Sequence, residues 1–99
     1  MSKQNFPLHN ASSDLEKVAI KRFRSLVPNL PQECKICREL WDRSTVLCLD
    51  FINCPESLAA MQEQSMLLVL SAHYLGLADT LLFKVGKKVK GWKTLSSKA

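Results

Sequence analysis

The sequence predicts an all-α fold: a compact bundle of four to five helices with a disordered N-terminus and a basic C-terminal tail. Three observations predict it. Apolar residues in the first third recur at helical spacing. Glycine occurs only at Gly76, Gly86 and Gly91, which is few for the tight turns of an all-β fold. Hydrophobic residues make up 46% and charged residues 23% of the 99 positions, a globular profile with material for one core. On this reading residues 1–11 are a flexible N-terminus, 12–85 a helical domain and 86–99 a basic tail.

The first helix is expected to open at Ser13-Asp14-Leu15-Glu16, which has the form of a capping box. Leu15, Val18, Ala19, Phe23, Leu26 and Val27 make its apolar face, and Pro28 ends it, because a proline ring disfavours the α conformation of the residue before it. Pro31 suits the first turn of a second helix reaching about Asp42, with Cys34, Cys37 and Trp41 as its inner stripe. The run Val46 to Ile52 is ambiguous between helix and strand. A lone short strand would lack a partner, so a third helix is expected there. Pro55 and Glu56 restart the chain, and a long helix follows from Ser57 through Leu75. Gly76 offers a break or a close contact, and Leu77 to Val85 resumes as a fifth, shorter helix or as a continuation.

The segment Met66 to Phe83 carries a single formal charge, Asp79, over eighteen residues. Its length approaches that of a membrane span. Asp79, His73 and the break at Gly76 weigh against one. Within it, Met66-Leu67-Leu68-Val69-Leu70 is apolar round more than one helical turn. So short a chain has little material to cover every side of that turn, and each large side chain left in water forgoes about 1.5–3 kcal/mol. A second copy of the chain is the expected cover, with Met66, Leu67, Val69 and Leu70 as the association surface.

The formal charge of +5 is unevenly placed: six lysines and no acid follow from Lys84 onward, while residues 1–83 hold eight basic against nine acidic residues. Lys87, Lys88, Lys90, Trp92 and Lys93 are the candidate contacts for an anionic partner, against the plainer reading of a solvated tail. The four cysteines, Cys34, Cys37, Cys48 and Cys54, fall within twenty-one residues. Cys34 and Cys37 have the spacing of a zinc half-site, but the gap between Cys48 and Cys54 is too long for a zinc ribbon. Buried thiols acting as small apolar groups are the expected role, with no metal and no cofactor.

No secretory leader is apparent in the first ten residues, so a cytoplasmic protein with reduced thiols is expected. Catalysis is not expected. His9 lies in the N-terminal segment, and His73 lies among apolar residues with Asp79 expected well round a helix from it. The function expected is a small regulatory or adaptor protein that works through protein contacts as a homodimer. The first alternative is a DNA-binding regulator using a helix-turn-helix over residues 70–85 and the lysine-rich tail as nucleic-acid contacts. Trp92 would stack on a base or sugar. A cysteine-based metal or redox module is the second alternative. Attachment to a membrane surface comes after these.

Overall fold

The computed structural model describes residues 6–42 and 44–95. It overturns the all-α expectation: three helices accompany a four-stranded mixed sheet, an α/β fold. Helix α1 spans Phe6–Leu26, strand β1 Lys35–Trp41 and strand β2 Ser44–Asp50. A short 3-10 turn, Pro55–Ser57, leads into helix α2, Leu58–Glu63, and helix α3, Ser65–Tyr74. Strands β3, Thr80–Val85, and β4, Lys88–Thr94, complete the chain. The sheet order is β1-β2-β3-β4. Its outer pairs are antiparallel hairpins, and its central pair, β2 with β3, is parallel.

Helix α1 ends just before Pro28, as its sequence requires, but begins at Phe6 rather than at Ser13. The Ser13–Glu16 box is therefore inside the helix. Residues 6–11 of the expected flexible segment are helical, and residues 1–5 lie outside the described residues. Phe23 and Val27 are fully buried, with Ala19 and Ile20 packed against them, whereas Leu15, Val18 and Leu26 face outward. After the helix, Arg24 donates one guanidinium hydrogen bond to the Pro31 carbonyl at 3.1 Å and another to the Cys34 carbonyl. That clamp returns the chain to the edge of the sheet.

The expected second helix is β1 instead. Its residues satisfy two periods at once. Cys34, Cys37 and Trp41 share a helical stripe, yet Cys37, Glu39 and Trp41 also alternate along a strand. The hairpin to β2 decides between them. Trp41 pairs with Ser44 across a two-residue loop whose first residue, Asp42, has φ of 54°. Such loops need left-handed residues, and aspartate tolerates that conformation.

Val46 to Ile52, expected as a third helix, is β2 and its exit. Its partners are segments that had been read as helices. Leu47 and Leu49 point to the helices, Val46 and Cys48 to the other face, and all four are buried. Asp50 ends the strand and accepts hydrogen bonds from the Ile52 amide at 3.0 Å and the Gly86 amide at 2.8 Å. One carboxylate thus ties the exit of β2 to the β3–β4 hairpin.

The long helix expected from Ser57 to Leu75 is divided at Gln64 into α2 and α3. Leu68, Val69 and Ala72 of α3 enter the core with Phe23, Leu47, Leu81 and Phe83. The break at Gly76 is a full Schellman cap. Gly76 takes φ of 72°, its amide bonds the His73 carbonyl at 2.9 Å, and the Leu77 amide bonds the Ala72 carbonyl at 2.9 Å. The chain then enters β3 where a fifth helix was expected. No second helix exists in residues 77–85 to act as the recognition helix of a helix-turn-helix.

Most of the expected basic tail is also ordered. Residues 88–94 form β4, joined to β3 through Gly86 and Lys87, with Gly86 at φ of 65°. Lys88, Lys90 and Lys93 lie along this outer strand, where charge discourages pairing with another sheet edge. The Gln62 amide donates to the Lys90 carbonyl at 3.2 Å and holds β4 to α2. Residues 96–99 lie outside the described residues.

This arrangement makes a direct prediction. Leu47→Ala, at a fully buried position of β2, is expected to lower unfolding stability by about 2–5 kcal/mol. Leu40→Ala, at a position 75% exposed, is expected to change it by about 0.5 kcal/mol or less. Urea unfolding of the two variants checks this.

Candidate functional site

All the helices whose residues share the main core lie on one face of the sheet, with Leu47, Leu49, Leu81 and Phe83 beneath them. The period of two along each strand sends the alternate residues to the opposite face, where no described element covers them. Register arranges that face in rows. Cys37, Cys48, Leu82 and Trp92 lie side by side across the four strands. Glu39, Val46, Thr80 and Thr94 form the next row, and Lys35, Asp50, Lys84 and Val89 form the row on the other side. Val46, Cys48 and Leu82 make a small buried cluster of their own, separate from the main core. Trp41, Val46, Thr80, Leu82, Val89 and Trp92 line a trough of about 350 Å³, almost wholly apolar. Trp41 is 47% and Trp92 69% exposed.

At the β1–β2 side of the face, Cys37, Glu39 and Cys48 come together with their ligand atoms all within 4.8 Å of one another. Trp41 Nε1 donates to Glu39 Oε1 at 2.8 Å. This indole bond, more than any other contact, holds the Glu39 carboxyl below its ordinary range, and Lys84 assists. Burial pushes the Cys34 and Cys48 thiols up to about 12. Cys37 and Cys54 are raised as well, by desolvation first and then by the Glu39 and Glu56 carboxylates respectively.

The residues singled out from sequence are dispersed. Val69 is buried in the core, while Met66, Leu67 and Leu70 are half exposed on the outer side of α3, beside an exposed Tyr74. The apolar turn is therefore covered in part by its own chain, through Leu68 and Val69. Among the anion candidates, Lys87 lies in the hairpin loop. Lys88, Lys90 and Lys93 are spread along β4, and Trp92 alone joins the trough. Of the cysteines, Cys34, Cys48 and Cys54 are buried and Cys37 is exposed.

Sequence spacing misjudged His73 and Asp79. The turn at Gly76 folds the chain back, and His73 Nδ1 lies 2.6 Å from Asp79 Oδ1. Both side chains are more than half exposed at the rim of a second, larger hollow of about 620 Å³ lined also by Ser44, Thr80 and Thr94. The Thr80 and Thr94 hydroxyls bond each other at 3.2 Å. An exposed contact of this kind contributes little to stability.

The fold and this face define a class: a two-layer α/β domain whose sheet, among the described residues, is uncovered on one side and carries there an aromatic trough beside a thiol–carboxylate cluster. Comparison with protein-family models, with curated proteins and with solved structures returns no match to this chain. Among the described residues, no helix is long and apolar enough to cross a membrane.

Two outcomes follow for the thiols. Under native conditions a small alkylating reagent is expected to modify Cys37 first, since it is the exposed thiol, and to reach Cys34, Cys48 and Cys54 only on unfolding. Peptide mass mapping of a time course reads this. The folded protein also keeps protons on Cys34 and Cys48 that an unfolded chain, with thiols near about 8.5, would release. The contribution of these two thiols to stability is therefore full below about pH 8.5 and is lost as pH rises from there toward about 12. Urea midpoints measured up the pH scale should fall in the wild type and fall less in Cys34→Ala.

Proposed function

We propose that this chain is a protein-interaction module that acts as a homodimer, with the bare sheet face, rather than the outer side of α3, as its joining surface. The observation that carries the reading is the apolar trough between Trp41 and Trp92. Large aromatic side chains left half in water on a flat sheet forgo burial that a second surface would supply. Buried tryptophans are also the residues that most often dominate binding energy.

A second copy suits this face for three reasons. Two sheets stack at about 10 Å with their side chains interdigitated, and the product is a four-layer body with helices outermost. Strand rise and spacing make the face roughly 20 Å on a side. Stacking two such faces buries on the order of 1,000 Å², at the lower end of specific interfaces. The face is also balanced in charge, Lys35 and Lys84 standing against Glu39 and Asp50. A two-fold partner therefore meets no field of its own sign. The same balance disfavours nucleic acid, whose phosphates need a net positive surface.

The two tryptophans of the chain both lie on this face, so their emission reports its burial. Light scattering of the full chain is expected to give twice the monomer mass. Dilution should release monomer together with a red shift of tryptophan emission. Trp92→Asp is expected to be monomeric and folded, because Trp92 is 69% exposed. Leu70→Asp is expected to leave the dimer intact. A wild-type protein that stays monomeric at high concentration with fully solvated tryptophan emission defeats the proposal. Loss of the dimer in Leu70→Asp but not in Trp92→Asp moves the interface to α3.

A further inference from the structure

The thiol–carboxylate cluster beside the trough has the makings of a coordination site. Cys37 and Cys48 face each other on paired antiparallel strands. Glu39, two residues along β1 from Cys37, falls on the same face. Cys37 Sγ stands 3.9 Å from Glu39 Oε2, and no two ligand atoms of the three residues are further apart than 4.8 Å. A tetrahedral zinc ion holds sulfur at about 2.3 Å and carboxylate oxygen at about 2.0–2.2 Å, so its ligand atoms lie roughly 3.5–3.8 Å from one another. From the 4.8 Å limit the side chains need to close by about 1.3 Å at most to reach that geometry.

Three surrounding features fit the same role. The Trp41 indole holds Glu39 Oε1, which leaves Oε2 as the oxygen near Cys37. Hydrogen bonds of this kind fix the orientation of metal-ligating groups. Cys48 is 1% exposed and seated between Val46 and Leu82, so one donor is fixed by packing on the central strand. Cys37 is exposed, so the approach and a fourth position lie on the solvent side. The cysteine pair on the helix side, Cys34 and Cys54, is buried and provides an internal control.

We propose that Cys37, Glu39 and Cys48 bind one thiophilic divalent cation, Zn²⁺ by its donor set, with three protein ligands and a fourth position open to water. Binding forms two metal–sulfur bonds and one metal–oxygen bond. Each thiol gives up its proton to solvent, and the carboxylate is already ionised. Two thiolates, one carboxylate and a divalent ion sum to a single negative charge, which Lys84 on the adjacent strand offsets. The charged groups facing the thiols are Glu39 on β1, Asp50 on β2 and Lys84 on β3. Because two protons leave, affinity rises with pH. All three ligands come from one chain, and because the open position lies on the face that the proposed dimer covers, the site is titrated at a dilution where the chain is monomeric.

The test uses the full chain, reduced, stripped of metal and titrated with Co²⁺ without oxygen. One equivalent is expected to bind with the visible bands of a tetrahedral ion and the charge-transfer intensity of two sulfurs, and Zn²⁺ should displace it. Cys37 is the thiol to vary, being exposed: Cys37→Ser should halve the charge-transfer intensity and weaken binding. Trp41→Phe keeps all three ligands and should weaken binding by about 10–100-fold through the lost indole bond. Cys34→Ala should leave the spectrum unchanged. A six-coordinate spectrum, no saturation at one equivalent, or a charge-transfer intensity undiminished in Cys37→Ser overturns the proposal. A signal lost in Cys34→Ala assigns the metal to the other thiol pair and overturns it equally.

Discussion

Strand β2 is hydrogen-bonded on both edges and buried on both faces, and the rest of the chain is arranged to make that possible. Val46, Leu47, Cys48 and Leu49 are four consecutive residues with almost no exposure. A strand so placed needs neighbours on either side, helices over one face and apolar side chains over the other. β1 and β3 supply the neighbours, α1 and α3 supply the cover, and Leu82 and the tryptophans shield Cys48 and Val46 on the far side. Asp50 then fixes where the strand stops by capturing two amides, one from its own exit and one from the distant hairpin. The candidate site is a by-product of the same arrangement: it consists of side chains that the alternation of β1, β2, β3 and β4 leaves on the uncovered side.

The sequence was most informative where a single residue type dictates backbone geometry. Pro28 marked the end of α1, and Gly76 marked the break that proved to be a left-handed helix cap. It misled where two periods fit the same residues. Cys34, Cys37 and Trp41 satisfy a helical stripe, and only the pairing with β2 reveals that β1 alternates instead. The scarcity of glycine argues against an all-β fold, and it leaves room for this sheet, which has only two hairpins. One turns on Asp42 in a left-handed conformation and the other on Gly86. The central pair is joined by helices and needs no tight turn. Val46 to Ile52 was read as a helix for want of a partner, because the partners themselves had been assigned elsewhere. Lys88, Lys90 and Lys93 read as part of a basic tail because their spacing hides a strand whose other face carries Val89 and Trp92.

Less of the candidate site was legible. Trp92 was singled out, but for its lysine neighbours, and Trp41 was assigned to a helix interior. The Cys-x-x-Cys spacing of Cys34 and Cys37 was the visible metal signal, and the structure separates that pair. Cys34 sits in the bend before β1 and packs into the main core, Cys37 lies on the other face of the sheet, and the register brings Cys48 to Cys37 instead. Ten residues lie between Cys37 and Cys48 in sequence, a distance that signals nothing until the hairpin is known. Likewise His73 and Asp79 meet only because the chain reverses at Gly76. In each case the chemistry depends on a turn, and turns built from aspartate or a single glycine leave faint traces.

The parallel pairing of β2 and β3 bears on how the molecule assembles. Each hairpin can zip from its own loop, since its partners are neighbours in sequence. The seam between the hairpins joins positions separated by the whole span of residues 51–79. Closing so long a loop costs chain entropy before any contact repays it. A chain in which the hairpins form before α2 and α3 pack against them leaves β2 and β3 each with one unpaired edge.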